Sequence, residues 1–111
     1  MHDTTTIRPI DAATFDEEIA AAQRAVVVDV WAEWCPPCHA LTPELEAVAA
    51  ELADRIEVRS LDQDAHPEIG RRHDVRSLPT LLVFRDGELV GRLVGARGRA
   101  SLREELARIL E

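Results

Sequence analysis

The apolar positions along this chain change period several times, and each change marks a structural element. After a short Thr-rich start that forms an edge strand through Ile7, Phe15, Ile19 and Ala22 recur at helical spacing, which predicts a first helix over Ala13 to Gln23. Ala25-Val26-Val27-Val28-Asp29-Val30 then runs without polar alternation, as a β-branched strand covered on both faces does. From Cys35 to Asp54 the set Leu41, Leu45, Val48, Ala49 and Leu52 follows i, i+4, i+7, i+8 and i+11, the signature of a long amphipathic helix. Pro43 falls inside it and is expected to kink it.

The second half reads differently. Ile56 to Leu61 alternates enough to predict a strand, and His66-Pro67 opens a short helix to about His73, with proline at its first position. A loop follows, ending at Leu78-Pro79. Thr80 to Phe84, Asp86-Gly87 and Leu89 to Val94 together predict an antiparallel hairpin, because Asp-Gly suits a tight turn. A last helix from about Arg99 places Leu102, Leu106, Ile109 and Leu110 on one face. The order is β-α-β-α-β-α-β-β-α, an α/β arrangement with a central mixed β-sheet flanked by helices.

Composition narrows the function. At 111 residues and 46% hydrophobic, the chain is expected to be one domain over residues 1–111, with one core that needs neither disulfide nor metal for stability. A net charge of −8 argues against a nucleic-acid surface or an anionic membrane as partner. All 13 basic residues are Arg, a bias of composition rather than thirteen functional choices. Met1 to Pro9 lacks the apolar run of a signal peptide, and no apolar stretch approaches the roughly 20 residues of a membrane span. A cytoplasmic location is therefore expected. In that reducing compartment two cysteines suit a catalytic, redox-sensing or metal-binding role better than a static staple, and composition leaves those three open.

Both cysteines lie in Trp31-Ala32-Glu33-Trp34-Cys35-Pro36-Pro37-Cys38, between the apolar strand and the long helix. That position puts Cys35 at a helix start, where backbone N–H groups and the helix dipole favour a thiolate, so Cys35 is the candidate nucleophile. One turn later Cys38 lies beside it and deeper, as a resolving thiol. The competing reading is half of a zinc site, with His39, His66 and His73 as the remaining ligands in principle. None of them forms a second paired motif and no other cysteine exists, so redox chemistry is favoured. Asp29, the one polar residue in a run of valines, reads as a buried carboxyl of raised pKa that accepts the Cys38 proton. Of the two tryptophans that flank what reads as a surface thiol, Trp31 is assigned inside and Trp34 to the rim.

Taken together, the Trp31 to Cys38 motif, the distant Leu78-Pro79-Thr80 and the element order resemble the thioredoxin family over nearly the whole chain. Asp29 ahead of the motif, Pro43 in the second helix, Phe84 and Gly87 at the hairpin, and Val94-Gly95 before the last helix belong to the same resemblance. It implies a thioredoxin fold and a protein-disulfide reductase with no cofactor of its own, a monomer by default. It further implies re-reduction by an NADPH-dependent thioredoxin reductase, and substrates such as reductases and peroxidases that need thiol recycling. It also implies that Pro79 is cis and packs against the cysteines, with Leu78 holding the substrate backbone by strand addition. Trp34, Pro37, Leu78, Pro79, Val94, Gly95 and Ala96 would then make an apolar docking patch in an acidic surface. His39 and Arg97-Gly98-Arg99 are expected to be plain solvated positions.

Two departures stand out. Where thioredoxins commonly carry a Lys near the buried acid this chain has Ser60, and Arg59, one residue earlier, faces the other way and cannot replace it. Pro36 stands where the familiar motif has Gly, which removes one N–H from the thiolate's surroundings while stiffening the loop. Other readings of the same residues are a non-catalytic thioredoxin-fold binding module, an exported thiol-reducing relative of the kind used in cytochrome maturation, and an oxidising or isomerising relative if Pro36 raises the potential.

Overall fold

The computed structural model describes residues 7–111; the Thr-rich start before Ile7 lies outside the described residues. The elements are β1 (Ile7–Pro9), α1 (Phe15–Ala21), β2 (Ala25–Trp31), α2 (Pro36–Glu51), β3 (Ile56–Asp62), α3 (Pro67–Arg72), β4 (Thr80–Arg85), β5 (Glu88–Val94) and α4 (Arg99–Ile109). The predicted order holds throughout.

Five strands form one sheet in the order β1-β3-β2-β4-β5. β3 runs parallel to both β1 and β2, while β4 is antiparallel to β2 and to β5, so the sheet is mixed. The β2 valines sit at its centre, buried from Ala25 through Val30. Alternation sends them to two different cores. Ala25 and Val27 join Leu41, Leu45, Val48, Leu102 and Leu106 beneath α2 and α4. Val26, Val28 and Val30 join Phe15, Ile19, Ile69, Leu82 and Phe84 beneath α1 and α3. Each fully buried side chain of this kind contributes about 2 kcal/mol, which is why an unbroken valine run at this position is stabilising.

Most element boundaries move by a few residues from their predicted places, for local reasons. α1 is shorter than expected: the Asp11 carboxylate accepts from the Thr14 N–H (2.9 Å) and hydroxyl (3.0 Å), holding the chain in a turn until Phe15. At its other end Ala22 is already extended. α2 stops at Glu51, where Leu52 leaves helical geometry while its N–H still reaches the Val48 carbonyl. Pro43 lies within α2, which continues on both sides of it as one helix. In the hairpin, Asp86 and Gly87 both have positive φ (54° and 81°), the geometry that a two-residue turn needs to match strand twist.

Candidate active site

β2 delivers the chain to the site and α2 carries it away. A turn closes behind Trp31, with the Cys35 N–H donating to the Ala32 carbonyl (3.2 Å). Cys35 is the N-cap of α2, in extended geometry, and Pro36 and Pro37 occupy the first helical turn. Proline is tolerated there because those nitrogens have no intrahelical acceptor. The first N–H of the helix therefore belongs to Cys38, and it is shared between the Cys35 carbonyl (3.1 Å) and Cys35 Sγ (3.3 Å). That contact places a backbone donor and the positive end of the helix dipole on the sulfur expected to act as nucleophile.

The two sulfurs are joined as a disulfide, with Cα atoms 5.3 Å apart. Both cysteines are buried, Cys35 at 3% and Cys38 at 1% exposure, packed with Ala32 against Trp31 and Leu78. The expected surface thiol is thus an inset one: the bond folds both sulfurs onto this small apolar cluster. Trp34 is 67% exposed, whereas Trp31, expected inside, is only half-buried because its ring borders open cavities at the end of β2, and the Trp34 indole N–H donates to Asp64 (2.8 Å). Asp64 was invisible to pattern reading, because the contact joins residues 30 apart in the chain.

The Leu78-Pro79 peptide bond is cis, and Pro79 is buried. Leu78 packs on the cystine cluster, and the Pro79 carbonyl accepts from the Gly95 N–H (2.9 Å), so the loops before β4 and after β5 meet beside the cysteines. Gly95 has φ +94°, a conformation that any side chain would strain. Of the expected patch, Trp34, Pro37, Val94 and Ala96 are exposed, Leu78 and Gly95 are half-buried and Pro79 is buried.

Asp29, in β2 two residues before Trp31, is 3% exposed, and its Oδ1 meets no hydrogen-bond donor among the described residues. Burial raises its pKa to about 7. In the parallel register Asp29 sits opposite Ser60, and both line a cavity of about 250 Å³ with Trp31, His39, Thr42 and Glu46. Thr42 donates its hydroxyl to the Cys38 carbonyl (3.2 Å), linking that cavity to the second cysteine's turn. Arg59 faces the other way, as strand alternation requires, and bonds Glu57 (2.8 Å), Glu18 (3.4 Å) and the Val58 carbonyl (3.1 Å).

Two positions expected to be plain surface make more contacts than that: His39 is exposed as expected, and Arg97 is half-buried rather than solvated. His39, though exposed, sets Nε2 2.7 Å from the Glu33 carbonyl and its ring edge-on to Trp31, because one helical turn after Cys35 it faces back over the loop. Arg97 is an ion-pair partner of Glu105 (2.5 Å) with only 23% of its side chain exposed, since α4 turns Glu105 toward the loop. The other histidines weighed as metal ligands are engaged elsewhere: His66 accepts from the Ala12 N–H (3.3 Å) and His73 packs between Phe15 and Phe84.

The thioredoxin family model matches residues 6–108. The thioredoxin of Mycobacterium tuberculosis H37Rv is 42% identical over 107 residues, covering 96% of this chain and 91% of the relative. The thioredoxin of Mycolicibacterium smegmatis is 40% identical, covering 95% of each chain. A Mycobacterium leprae protein named bifunctional thioredoxin reductase/thioredoxin is 39% identical over 95% of this chain, which spans 23% of that longer protein. The cystine at the head of α2 is accordingly the redox-active pair of a thiol-disulfide oxidoreductase that reduces protein disulfides, and the chain belongs to the thioredoxin family.

Proposed function

We propose that this single domain, residues 1–111, reduces protein disulfides through its Cys-Pro-Pro-Cys pair in the following way. The Cys35 thiolate attacks one sulfur of a partner's disulfide, and the partner's other sulfur leaves as a thiolate that takes up a proton. Cys38, on giving its proton to the Asp29 carboxylate, attacks Cys35 Sγ. The partner's second sulfur leaves, and the Cys35–Cys38 disulfide holds the two electrons' worth of oxidation removed from the partner. The observation that carries this reading is the Cys38 N–H aimed at Cys35 Sγ from the first turn of α2, which makes Cys35 the better nucleophile and leaving group of the two.

Asp29 is suited to its part because an acid with a pKa of about 7 is divided between both forms at neutral pH. The half-buried Leu78 and the exposed Trp34, Pro37 and Val94 supply a surface for an extended partner segment, with Gly95 and Pro79 fixing the loops on either side. Trp31, Pro36, Pro43 and Ser60 support the site structurally. Re-reduction comes from an NADPH-dependent thioredoxin reductase, a coupling supported by the Mycobacterium leprae relative whose name joins the two activities in one chain. The protein works as a monomer in the cytoplasm, where a reducing thiol pool keeps the dithiol available. Among the described residues no helix is long and apolar enough to cross a membrane.

The test is a redox titration in dithiothreitol buffers, followed by tryptophan fluorescence and by counting free thiols. One two-electron transition with a midpoint near or below the cytosolic glutathione poise is expected. A midpoint close to those of disulfide isomerases would assign the Pro36 variant to oxidation or shuffling instead. In parallel, Cys38→Ser should accumulate a mixed disulfide at Cys35, and Cys35→Ser should react with no partner. Full biological activity in the double Cys→Ser variant would replace the enzyme with a binding module.

A further inference from the structure

We propose that Arg97 is a positioning residue for substrate docking: pinned by Glu105 of α4, its guanidinium holds the Val94–Gly95 backbone in the shape that receives a partner's disulfide-bearing segment. The inference rests on the docking surface proposed above and adds the device that keeps one side of it in place.

The connection from β5 to α4 has little regular structure of its own. β5 ends at Val94 and α4 begins at Arg99, so residues 95–98 belong to neither element, and Gly98 carries only the N-cap bond from the Leu102 N–H (3.0 Å). Arg97 supplies bonds from its side chain instead. Nη2 donates to the Val94 carbonyl and Nε to the Gly95 carbonyl (3.4 Å), so one planar guanidinium spans two successive backbone oxygens at the rim of the patch. Nη1 donates to Glu105 Oε1 (2.5 Å), and Glu105 is itself steadied by the Ser101 hydroxyl on its other oxygen (3.2 Å). The Arg97 bond is the main reason the Glu105 carboxyl titrates below its usual range.

The same two residues are tied from the opposite side. The Gly95 N–H donates to the Pro79 carbonyl (2.9 Å), and Arg99 fastens the start of α4 to Glu44 of α2 through its backbone N–H (3.1 Å) and Nε (3.3 Å). Gly95, in its left-handed conformation, is thus held by the cis-proline loop on one flank and by Arg97 on the other. A partly exposed ion pair adds little to global stability. A loop ordered before a partner arrives nevertheless lowers the entropic penalty of docking, so the effect is expected in affinity. Arg97 bonds to backbone oxygens and Glu105 and to neither sulfur, so the sulfur chemistry is left alone.

Pre-reduced protein is mixed with excess insulin as the disulfide probe, and tryptophan fluorescence follows oxidation of the dithiol. Arg97→Gln and Glu105→Gln are each expected to raise the half-saturating insulin concentration about five-fold. The limiting rate and the midpoint potential stay unchanged. The charge-swapped pair R97E/E105R should not recover that affinity, because a carboxylate at 97 restores the ion pair with residue 105 but cannot donate to the Val94 and Gly95 carbonyls. Val94→Asp, which places a charge in the patch itself, tests the underlying reading. If Val94→Asp raises the half-saturating concentration and Arg97→Gln does not, the strut is refuted and the docking surface stands. No effect of Val94→Asp refutes the surface, and the strut with it. An Arg97→Gln effect on limiting rate or potential alone, or a charge swap that restores the affinity without those donors, also overturns the positioning role.

Discussion

Arg59 and Asp29 occupy neighbouring strands of the same sheet, one register step apart, and the protein treats them in opposite ways. Arg59 is 9% exposed on the α1 face, where every branch of its guanidinium is engaged: Nη2 with Glu57, Nε with Glu18 and Nη1 with the Val58 carbonyl. Asp29 is 3% exposed on the α2 face, with one oxygen lacking any hydrogen bond and Ser60 rather than a cation opposite it. A buried ion with full compensation is a structural element; a buried acid left without it stays protonated and titrates near neutral pH. Only the second kind of residue can exchange protons on demand. Both faces bury a core, but the compensated charge ties the sheet to α1 while the uncompensated acid lies on the side of α2, the helix that carries the cysteines.

Asp29→Asn should have the largest effect. Without its carboxylate, resolution of the mixed disulfide at neutral pH is expected to slow about 100-fold. An unchanged rate across roughly pH 6 to 9, the thiol titration range, would remove Asp29 from the mechanism. The same change should stabilise the fold. A carboxyl whose folded pKa is raised from 3.8 to about 7 adds most stability while it is protonated in both states, below its ordinary pKa. That contribution is lost as pH rises through 7, by roughly 4 kcal/mol in all. Urea unfolding of Asp29→Asn should therefore show a gain of up to that size at pH 8 and almost none at pH 4 (approximate limits of the window). A gain independent of pH would mean that the acid is not protonated by burial.

Arg59→Ala tests the other face. It leaves Glu57 with only the more distant Arg24 (3.7 Å) and removes the tie to α1, and about 2 kcal/mol of stability should be lost, with the midpoint potential of the cysteines unaltered. A loss under about 1 kcal/mol would place the network among ordinary surface pairs.

Ser60→Lys would blur the contrast by giving Asp29 a cation in its own cavity. Its pKa should fall by about one unit, read by carboxyl infrared or carbon NMR titration. No change would mean that the side chain at 60 does not reach Asp29.

The smallest effect concerns His73, on the α1 face but itself incompletely satisfied: Nε2 finds no partner among the described residues. Burial first, then Arg72 and Arg92, lower its pKa, with Asp16 opposing. The folded state thus favours the neutral ring. Stability is full above the ordinary imidazole value and is lost as pH falls through the lowered one, because the unfolded chain binds the proton more readily. His73→Phe should flatten that acid limb in a pH series of thermal melts. An unchanged limb would assign it to other groups.

How much of this was legible beforehand depends on the range of the interaction. The strands, the helices and the hairpin were readable because hydrophobic period and turn chemistry act over a few residues, as in the β2 valines and Asp86-Gly87. Cys35 and Cys38 could be ranked because three residues of spacing at a helix start fix their relation. The parity of Asp29, Ser60 and Arg59 followed from strand alternation once the pairing of β2 with β3 was assumed.

Tertiary structure decided the rest. Three contacts at the site's edges join parts of the chain that no local pattern connects: Trp34 to Asp64, Pro79 to Gly95, and Arg97 to Glu105 across the start of α4. Arg97 was one of thirteen arginines in sequence and became distinct only when α4 brought a carboxylate within 2.5 Å. The exposure of Cys35 was likewise set by what folds over it. Sequence by itself determined which residues could carry the chemistry, since that depends on side-chain type and near neighbours. Packing determined their solvation and partners, which depend on chain segments distant in sequence that meet only in the folded state.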